Sequence, residues 1–309
     1  MTRIAIVGMG TWGRQLIRVF NDVAEVVLSC NRGEPAAHDW LRRAYPSIRA
    51  GSSAAEAIED PSIDAVVIAT SIPSHGSLAI AALERGKHVF VEKPIATSRS
   101  DAQRVVEAAE AARRVLFVGH TFLFDAAFEA LHEIAARDEI ARIDLSWLKY
   151  GTFGEPLVWN LLPHEVALAT WLVGAPPSLT VVEHRSGPTP IDRLRLELDF
   201  GADGPTGSIE IDRLHGQKIK TARLRMRSGR EFGWTDGDLY RFGSGEQPER
   251  LIEHSEEALV REARAFLDAI STGRPSRSDG PFGAAVVAVI EPIAASLEAA
   301  SHVVAEPIR

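Results

Sequence analysis

The chain has 309 residues, a formal net charge of -8 at pH 7 and one cysteine. This length is typical of two domains, and the acidic balance argues against a nucleic-acid partner, which would need a basic face. The lone Cys30 excludes a disulfide within the chain and fits a reducing, cytoplasmic setting. The N-terminus lacks the pattern of a signal peptide, and no uninterrupted apolar run reaches the ~18 residues of a membrane span. We therefore expect no membrane partner.

Short apolar runs alternate with helical segments over residues 1–120. The predicted strands are Ile4–Val7, Glu25–Cys30, Ala65–Ala69, His88–Val91 and Val115–Val118. The predicted helices are Thr11–Phe20, Ala54–Glu59, Leu78–Arg85 and Ser100–Ala112. Strands that alternate with helices indicate βαβ units and a parallel sheet.

The pattern changes after residue 120, where we place a domain boundary. One further helix is predicted at Phe124–Ala136, followed by strands at 142–149, 179–184, 192–200, 207–213 and 219–227, and then by helices at 256–271 and 283–300. Leu194, Leu196 and Leu198 alternate with charged residues. Successive strands with this alternation predict an antiparallel sheet that is covered on one face.

A glycine motif, Gly8-x-Gly10-x-x-Gly13, lies between the first predicted strand and the first predicted helix and includes Thr11 and Trp12. In this context Gly8 permits a tight turn, Gly10 lets the backbone approach a pyrophosphate, and Gly13 allows close packing of helix and strand. The motif predicts a dinucleotide site. The alternative is a glycine-rich turn that binds no ligand.

The end of the second strand bears on the choice between NAD and NADP. NAD selectivity usually needs an acid there, but the sequence has Asn31 followed by Arg32. A guanidinium pairs well with a 2′-phosphate, so we expect NADP to be preferred. Arg32 as a solvated residue, or stacked on the adenine, is the alternative, and Glu34 is close enough in sequence to restore a carboxylate.

Polar residues follow the third and fourth of these strands. We expect Thr70, Ser71 and Pro73 to line the floor under a nicotinamide, because ligands bind at the carboxyl ends of parallel strands. His75 is expected to start the next helix and to shape the dinucleotide site, although a helix-capping role for Ser74 and His75 fits equally well.

The fourth strand leads into Glu92-Lys93-Pro94. A lysine at this edge of the sheet is suited to hydrogen-bond a substrate hydroxyl and to help move a proton. The alternative is an ordinary surface lysine.

A histidine stands in the apolar segment "WNLLPHEVALATW", residues 159–171. A zinc-binding HExxH motif is excluded because position 168 is leucine, and the other histidines show no ligand spacing, so no metal is expected. Pro163 suits the first turn of a helix, which we predict from Leu162 to Val173 with Gly174 as its end. His164 projects from that turn, with Asn160 before it. The residues alone leave two roles open for His164, which is either a structural histidine or a proton carrier. They slightly favour the structural role.

Together, these segments resemble the Gfo/Idh/MocA oxidoreductase family along nearly the whole chain. The resemblance is carried by the glycine motif, "IATSIPSH", "GKHVFVEKP", "VGHTFLFD", "WNLLPHEVALATWLVG" and "EEALVREARAFLDAISTGRPSRSDGPFG". It implies a Rossmann domain (1–120) with a doubly wound parallel sheet, and a substrate-binding α+β domain (121–309) with a large open, mostly antiparallel sheet. This domain division allows the C-terminal helices to pack back on the first domain. It also implies a homodimer or homotetramer formed through that sheet.

The resemblance further implies NAD(P)-linked oxidation or reduction of a sugar or related compound. It assigns proton handling to Lys93 and His164, adds Glu92 and His120 to the cofactor site, and makes Tyr150, Trp159 and Asn160 candidate substrate contacts. "VGHTFLFD" and "WNLLPHE" are similar to a branch associated with nucleotide-sugar biosynthesis.

Asn160 stands where the family usually has aspartate, and an amide can be neither a base nor a counter-charge. Glu165 keeps a carboxylate nearby but faces another direction on a regular helix. A non-catalytic dinucleotide sensor and an imine reductase remain alternative functions.

Overall fold

The computed structural model describes residues 1–32, 34–235, 237–243, 247–253 and 256–303. The chain divides into two compact units. The first comprises Met1–Thr121 and Ala258–Val287, and the second comprises Phe122–Glu257 and the chain from Ala288 onward. That 1–120 and 121–309 act as functional domains stays a prediction.

The first unit contains a six-stranded sheet in which all paired strands are parallel. Its strands are β1 (Arg3–Val7), β2 (Glu25–Cys30), β3 (Arg49–Gly51), β4 (Ala65–Ile68), β5 (His88–Glu92) and β6 (Leu116–Gly119). Their order is β3-β2-β1-β4-β5-β6. The order reverses at β1 and β4, as in a doubly wound dinucleotide-binding sheet, so the predicted Rossmann fold is confirmed.

Five helices connect these strands: α1 (Thr11–Val23), α2 (Pro35–Ala44), α3 (Ala54–Glu59), α4 (His75–Glu84) and α5 (Arg99–Ala112). The sequence predicted four of them. It missed α2 and β3, because α2 buries only Ala37 and Leu41 and a strand of three residues is too short to show a period.

The second unit contains an eight-stranded sheet in the order β14-β13-β12-β11-β7-β10-β9-β8. Its strands are β7 (Ile140–Leu148), β8 (Ser178–Arg185), β9 (Arg193–Asp199), β10 (Thr206–Asp212), β11 (Ile219–Met226), β12 (Glu231–Thr235), β13 (Asp238–Phe242) and β14 (Glu249–Ile252). Only β7 and β10 pair in parallel among these described strands, so the predicted, mostly antiparallel sheet is confirmed. Strands β12–β14 were not predicted, because they are short and lie close to glycines.

Helices α6 (Ala126–Ala135), α7 (Leu157–Asn160) and α8 (Leu162–Val173) belong to the second unit. The ring of Phe128 in α6 packs on Trp234 of β12 and on Trp171 of α8, with centroid distances of 5.4 and 5.7 Å. Asp125 accepts hydrogen bonds from the Phe128 amide and the Trp234 indole, at 3.0 and 2.9 Å. This carboxylate therefore caps α6 and fixes it against the sheet.

The remaining helices are α9 (Ala258–Thr272) and α10 (Gly280–Val303). Phe266 of α9 meets Phe20, Phe90 and Phe117 edge-on, with centroid distances of 5.7–6.2 Å. All four rings are fully buried. This cluster explains why α9, although distant in sequence, belongs to the core of the first unit.

The expectation about membrane spans needs a correction at α10. Gly280–Ala299 is long and apolar enough to cross a membrane by length and composition, although Glu291 interrupts its apolar run. Helices in the cores of water-soluble proteins have the same character, and Val286, Val287 and Ile290 are at most 1% exposed. This burial supports a role in packing.

Candidate active site

The glycine loop between β1 and α1 has the geometry that a pyrophosphate requires. Gly8 has a φ of +108°, and a Cβ there would lie 2.2 Å from the Ala69 carbonyl oxygen. A Cβ on Gly13 would lie 2.0 Å from the Gly8 carbonyl oxygen, whereas among the described residues nothing lies within 4 Å of a Cβ on Gly10. In the described structure no side chain caps α1, and its first turn contains no acid. The open space and the uncapped amides fit the diphosphate of a dinucleotide.

The segment after β2 lies where this kind of fold holds a cofactor ribose. The backbone N–H of Asn31 donates a hydrogen bond to the Gly51 carbonyl oxygen, with an N···O distance of 3.0 Å. Arg32 is exposed, and Glu34 directly precedes α2. An exposed guanidinium is therefore present at this edge, together with a carboxylate two residues later.

His75 links the ends of β4 and β5. Its Nδ1 lies 2.8 Å from the Pro94 carbonyl oxygen and its Nε2 lies 3.1 Å from that of Thr70. The ring is buried, and His75 begins α4 as predicted. Ser74 does not cap the helix with its side chain, but donates to the Ser71 carbonyl at 2.8 Å. His75 thus holds two strand ends together.

The three residues expected at the floor of the nicotinamide site follow β4. Thr70 is half-buried, whereas Ser71 and Pro73 are exposed. All three stand at the carboxyl edge of the parallel sheet, where a ligand of this fold binds.

Strand β5 ends at Glu92, and Lys93 follows it with a cis peptide bond to Pro94. Lys93 is half-buried, whereas Glu92 is only 6% exposed. The indole Nε1 of Trp12 donates a hydrogen bond to Glu92 Oε1 at 2.5 Å. Burial raises the pKa of Glu92 to about 7, while Trp12 and Lys93 act in the opposite direction. This hydrogen bond connects the glycine loop to the lysine segment.

Two further buried titratable groups belong to the same unit. His120 is 2% exposed, and neither ring nitrogen has a hydrogen-bond partner within the described residues. Burial and then the charge of Lys93 lower the pKa of His120 to about 3, so its ring is neutral. Glu262 of α9 is fully buried and accepts a hydrogen bond from Thr121 Oγ1 at 2.8 Å. Burial and then the charge of Glu92 raise the pKa of Glu262 well above its usual value.

In the second unit, His164 lies in the first turn of α8, beside Pro163. The helix ends before Gly174, whose φ is +78°, so its predicted limits are confirmed. The imidazole is half-buried and packs against the rings of Phe122 and Trp147, with centroid distances of 5.3 and 4.5 Å.

The same two rings also contact a cation. Lys220 Nζ lies 4.1 Å from the Trp147 centroid and 4.7 Å from the Phe122 centroid. Lys220 forms an ion pair with Glu165, and both side chains are fully buried. Burial raises the pKa of Glu165, and Lys220 opposes that effect. Phe122 and Trp147 thus contact both His164 and the Lys220 ammonium of the buried ion pair.

Asn160 is held by a carboxylate. Its Nδ2 donates a hydrogen bond to Glu155 Oε2 at 3.0 Å, and both residues are half-buried. The backbone carbonyl of Glu155 accepts a hydrogen bond from the buried guanidinium of Arg213 at 2.6 Å. Of the other candidate substrate contacts, Tyr150 is 71% exposed and Trp159 is buried. Tyr150 is therefore accessible, and Trp159 mainly packs in the interior.

The sequence did not identify Glu262, Lys220 and Glu155 as members of these sites. Glu262 lies among Leu259, Ala263 and Phe266 on the buried stripe of α9. A lone acid on an apolar helix stripe is a signal that sequence inspection is able to find. Lys220 occupies a buried position in the alternating pattern of β11, so the same kind of inspection is able to find it. Glu155 lies in an irregular segment without a hydrophobic period, so it gives no such signal. No group of three or more metal-ligating residues occurs in the described part of the chain.

Residues 2–120 match the profile of a family described as "Oxidoreductase family, NAD-binding Rossmann fold". The chain is 27% identical over 235 residues to 4-carboxy-2-hydroxymuconate-6-semialdehyde dehydrogenase of Sphingobium sp., covering 67% of this chain and 74% of the relative. It is 29% identical over 171 residues to myo-inositol 2-dehydrogenase of Thermotoga maritima, covering 53% of this chain and 46% of the relative.

A similar solved structure is that of UDP-N-acetylglucosamine 3-dehydrogenase GnnA from Acidithiobacillus ferrooxidans. The TM-score is 0.86 at 21% identity, and the superposition covers 97% of this chain and 98% of that chain. At this identity the likeness shows a shared fold over both units.

Proposed function

We propose that the chain is an oxidoreductase of the Gfo/Idh/MocA family, because its residues 2–120 match the NAD-binding profile of that family. In this proposal it transfers hydride between a nicotinamide cofactor and a secondary alcohol or ketone of a sugar or nucleotide sugar. The names of an inositol dehydrogenase relative and of a UDP-sugar dehydrogenase with the same fold support this class of substrate.

The cofactor, when bound, would supply hydride exchange at C4 of its nicotinamide ring. In our proposal Lys93 donates a hydrogen bond to the reacting oxygen and polarises it. His164 accepts the hydroxyl proton when an alcohol is oxidised and returns it when a ketone is reduced. Tyr150, Trp159 and Asn160 are the proposed substrate contacts, and Glu155 holds the Asn160 amide in one orientation.

The observation that carries this proposal is the Trp12–Glu92 hydrogen bond. It joins the glycine loop, which fits a dinucleotide, to the strand end that presents Lys93. A lysine at that edge is suited to act on a substrate beside the cofactor. This position beside a buried acid that is hydrogen-bonded to the glycine loop favours a role for Lys93 in the site over that of an ordinary surface lysine.

We propose NADP as the preferred cofactor, because the exposed Arg32 follows Asn31 at the end of β2. A guanidinium there pairs with a 2′-phosphate, and the amide of Asn31 does not repel it.

We also propose a cytoplasmic homodimer or homotetramer that forms through the open sheet. One face of this sheet carries the ion pairs Arg142–Asp144, Arg193–Glu210 and Arg223–Glu231. A face of this composition favours a polar subunit contact over a membrane or a nucleic acid.

The test is an absorbance assay with NADH and NADPH, and with their oxidised forms, against a panel of inositols, sugars and UDP-sugars. Lys93→Ala and His164→Ala should each lower kcat by about 10²–10⁴ while calorimetry shows that cofactor binding is retained. Arg32→Ala should raise the KM for NADPH and leave that for NADH nearly unchanged.

Lys218→Ala and His184→Ala are the matched controls, because both residues are exposed. Unchanged turnover in the Lys93 or the His164 variant would refute its proposed role. Cofactor binding without turnover of any panel member would favour a dinucleotide sensor, for which the replacement of the family aspartate by Asn160 is the supporting feature.

A further inference from the structure

A buried group of side chains interacts electrostatically with Lys93, and the proposed hydride transfer assigns no proton step to it. It consists of Glu92 at the end of β5, His120 after β6 and Glu262 on α9, which are 6%, 2% and 0% exposed. Trp12 donates to Glu92 and Thr121 donates to Glu262. A Cβ on Gly119 would lie 2.8 Å from Glu92 Oε1, so the absence of a side chain there makes room for the carboxyl.

These groups cannot all be charged together. Two buried carboxyls that interact oppose each other's ionisation, so one of them keeps a proton. Glu262 is that acid, because burial and the charge of Glu92 both raise its pKa. Its Oε1 has no hydrogen-bond partner among the described residues, which also disfavours a full negative charge on it.

Within the described residues, the charge of Glu92 interacts with that of Lys93 and with the ionisation of Glu262. Lys93 is its neighbour in sequence, Glu262 faces it from α9, and His120 stands after β6. The His120 ring is neutral, and Trp12 of α1 contributes only an N–H. Lys93 is therefore the cation whose charge responds to the ionisation of Glu92.

We propose that Glu92 and Glu262 are a positioning pair for Lys93. Glu262 retains a proton, which leaves one negative charge on Glu92, and this charge keeps the Lys93 amine protonated. The hydrogen bond that Glu92 accepts from Trp12 fixes the glycine loop. The consequence for Lys93 rests on the proposed function. The ionisation of the pair does not, since it follows from burial and contacts within the first unit.

The test compares Glu262→Gln with Glu92→Gln in the full-length protein. The Glu262 variant keeps an acceptor for Thr121 and is as neutral as the protonated acid, so the charge on Glu92 is preserved. Its kcat profile should therefore match that of wild type, whereas removal of an ionised Glu262 would relieve repulsion on Glu92 and move the acidic limb to lower pH. Removal of the Glu92 charge should instead lower kcat by about tenfold, less than the ~10²–10⁴ of a proton carrier, and move the basic limb to lower pH.

A merely structural role of Glu92 would not move the basic limb. The exposed Glu84→Gln is the control and should reproduce the wild-type profile. The pair's titration is also read without turnover, from the unfolding temperature between pH 5 and 8. Its decline with rising pH should become smaller in both variants, and this outcome is independent of whether the proposed function holds. An acidic limb that moves in Glu262→Gln, or a temperature profile that stays unchanged in it, overturns the inference. If that variant does not fold, the same temperature comparison on Glu92→Gln decides it.

Discussion

Two fully buried glutamates, one in each unit, are neutralised in opposite ways. Glu262 meets a second acid, Glu92, and a hydroxyl, whereas Glu165 meets the ammonium of Lys220. The first arrangement is electrically tolerable only if a proton is retained, and the second only if the cation stays in place. Burial by itself therefore does not reveal what an acid does; the sign of its neighbour does.

This difference separates a group that titrates from a group that is fixed. The pKa of Glu92 is about 7 because of burial, so the first unit changes charge near neutral pH. The Lys220 ammonium is held by Glu165 and by two aromatic rings. The second unit thus holds a buried carboxyl–ammonium contact whose flanking rings, Phe122 and Trp147, also pack against His164.

The strongest way to break this comparison is to remove one member of the fixed pair. Lys220→Met leaves Glu165 buried without its cation, which typically costs about 3–5 kcal/mol. We expect a loss of this size in the free energy of unfolding at pH 7, measured by guanidinium denaturation.

The double variant Glu165→Leu/Lys220→Met separates the pair from its packing. It should recover most of the lost stability, because no uncompensated charge remains. Lys218→Met is the exposed control. A loss of less than about 1 kcal/mol in Lys220→Met, the value of a surface pair, would show that the pair is not the fixed element described above.

A smaller effect is expected at His120, whose neutral ring has no hydrogen-bond partner within the described residues. Because burial lowers its folded-state pKa to about 3 from 6.5, its contribution to stability is present above pH 6.5 and is lost as pH falls towards 3. Between pH 7 and pH 5 this loss amounts to about 2 kcal/mol. His120→Leu should remove that part of the decline in unfolding free energy, and the exposed His184→Gln should not. An identical decline in His120→Leu and wild type would contradict a neutral, buried imidazole.

Glu92 and His120 therefore have opposite effects on how the stability of the first unit depends on pH. The raised pKa of Glu92 gives stability that is fully present below about 4.5 and is lost as pH rises through about 7. His120 acts in the other direction, and the two windows overlap between pH 4.5 and pH 6.5. The two opposing slopes nearly cancel there, so the summed contribution of these groups is largest in that range.

The parts of the site that the sequence predicted are those encoded by local spacing. The glycine motif, the Glu92-Lys93 step after a buried strand and the proline in the first turn of α8 each determine structure within a few residues. The contacts of the acid pair and of the ion pair do not. Glu262 accepts a hydrogen bond from Thr121, which is 141 positions away, and Glu165 and Lys220 are 55 positions apart. Such pairings arise from tertiary packing of α9 and β11, and a single sequence contains no distance information for them. The fold was predictable for a related reason, because the periods of strands and helices are local.

The smallest expected effect tests how far the comparison extends towards the surface. Glu155 and Asn160 are half-buried and share one hydrogen bond, and Asn160→Asp would create there the like-charge situation of the first unit. Because solvent screens both groups, we expect a loss of at most about 1 kcal/mol. Glu155→Gln should cost a similar amount. In the double variant the new amide donates to the new carboxylate, so the unfolding free energy should return to within a few tenths of a kcal/mol of wild type. The substrate KM, measured in the same four proteins, should follow this pattern if the orientation of residue 160 matters for binding. Additive losses in the double variant would instead show that the two side chains do not interact in solution.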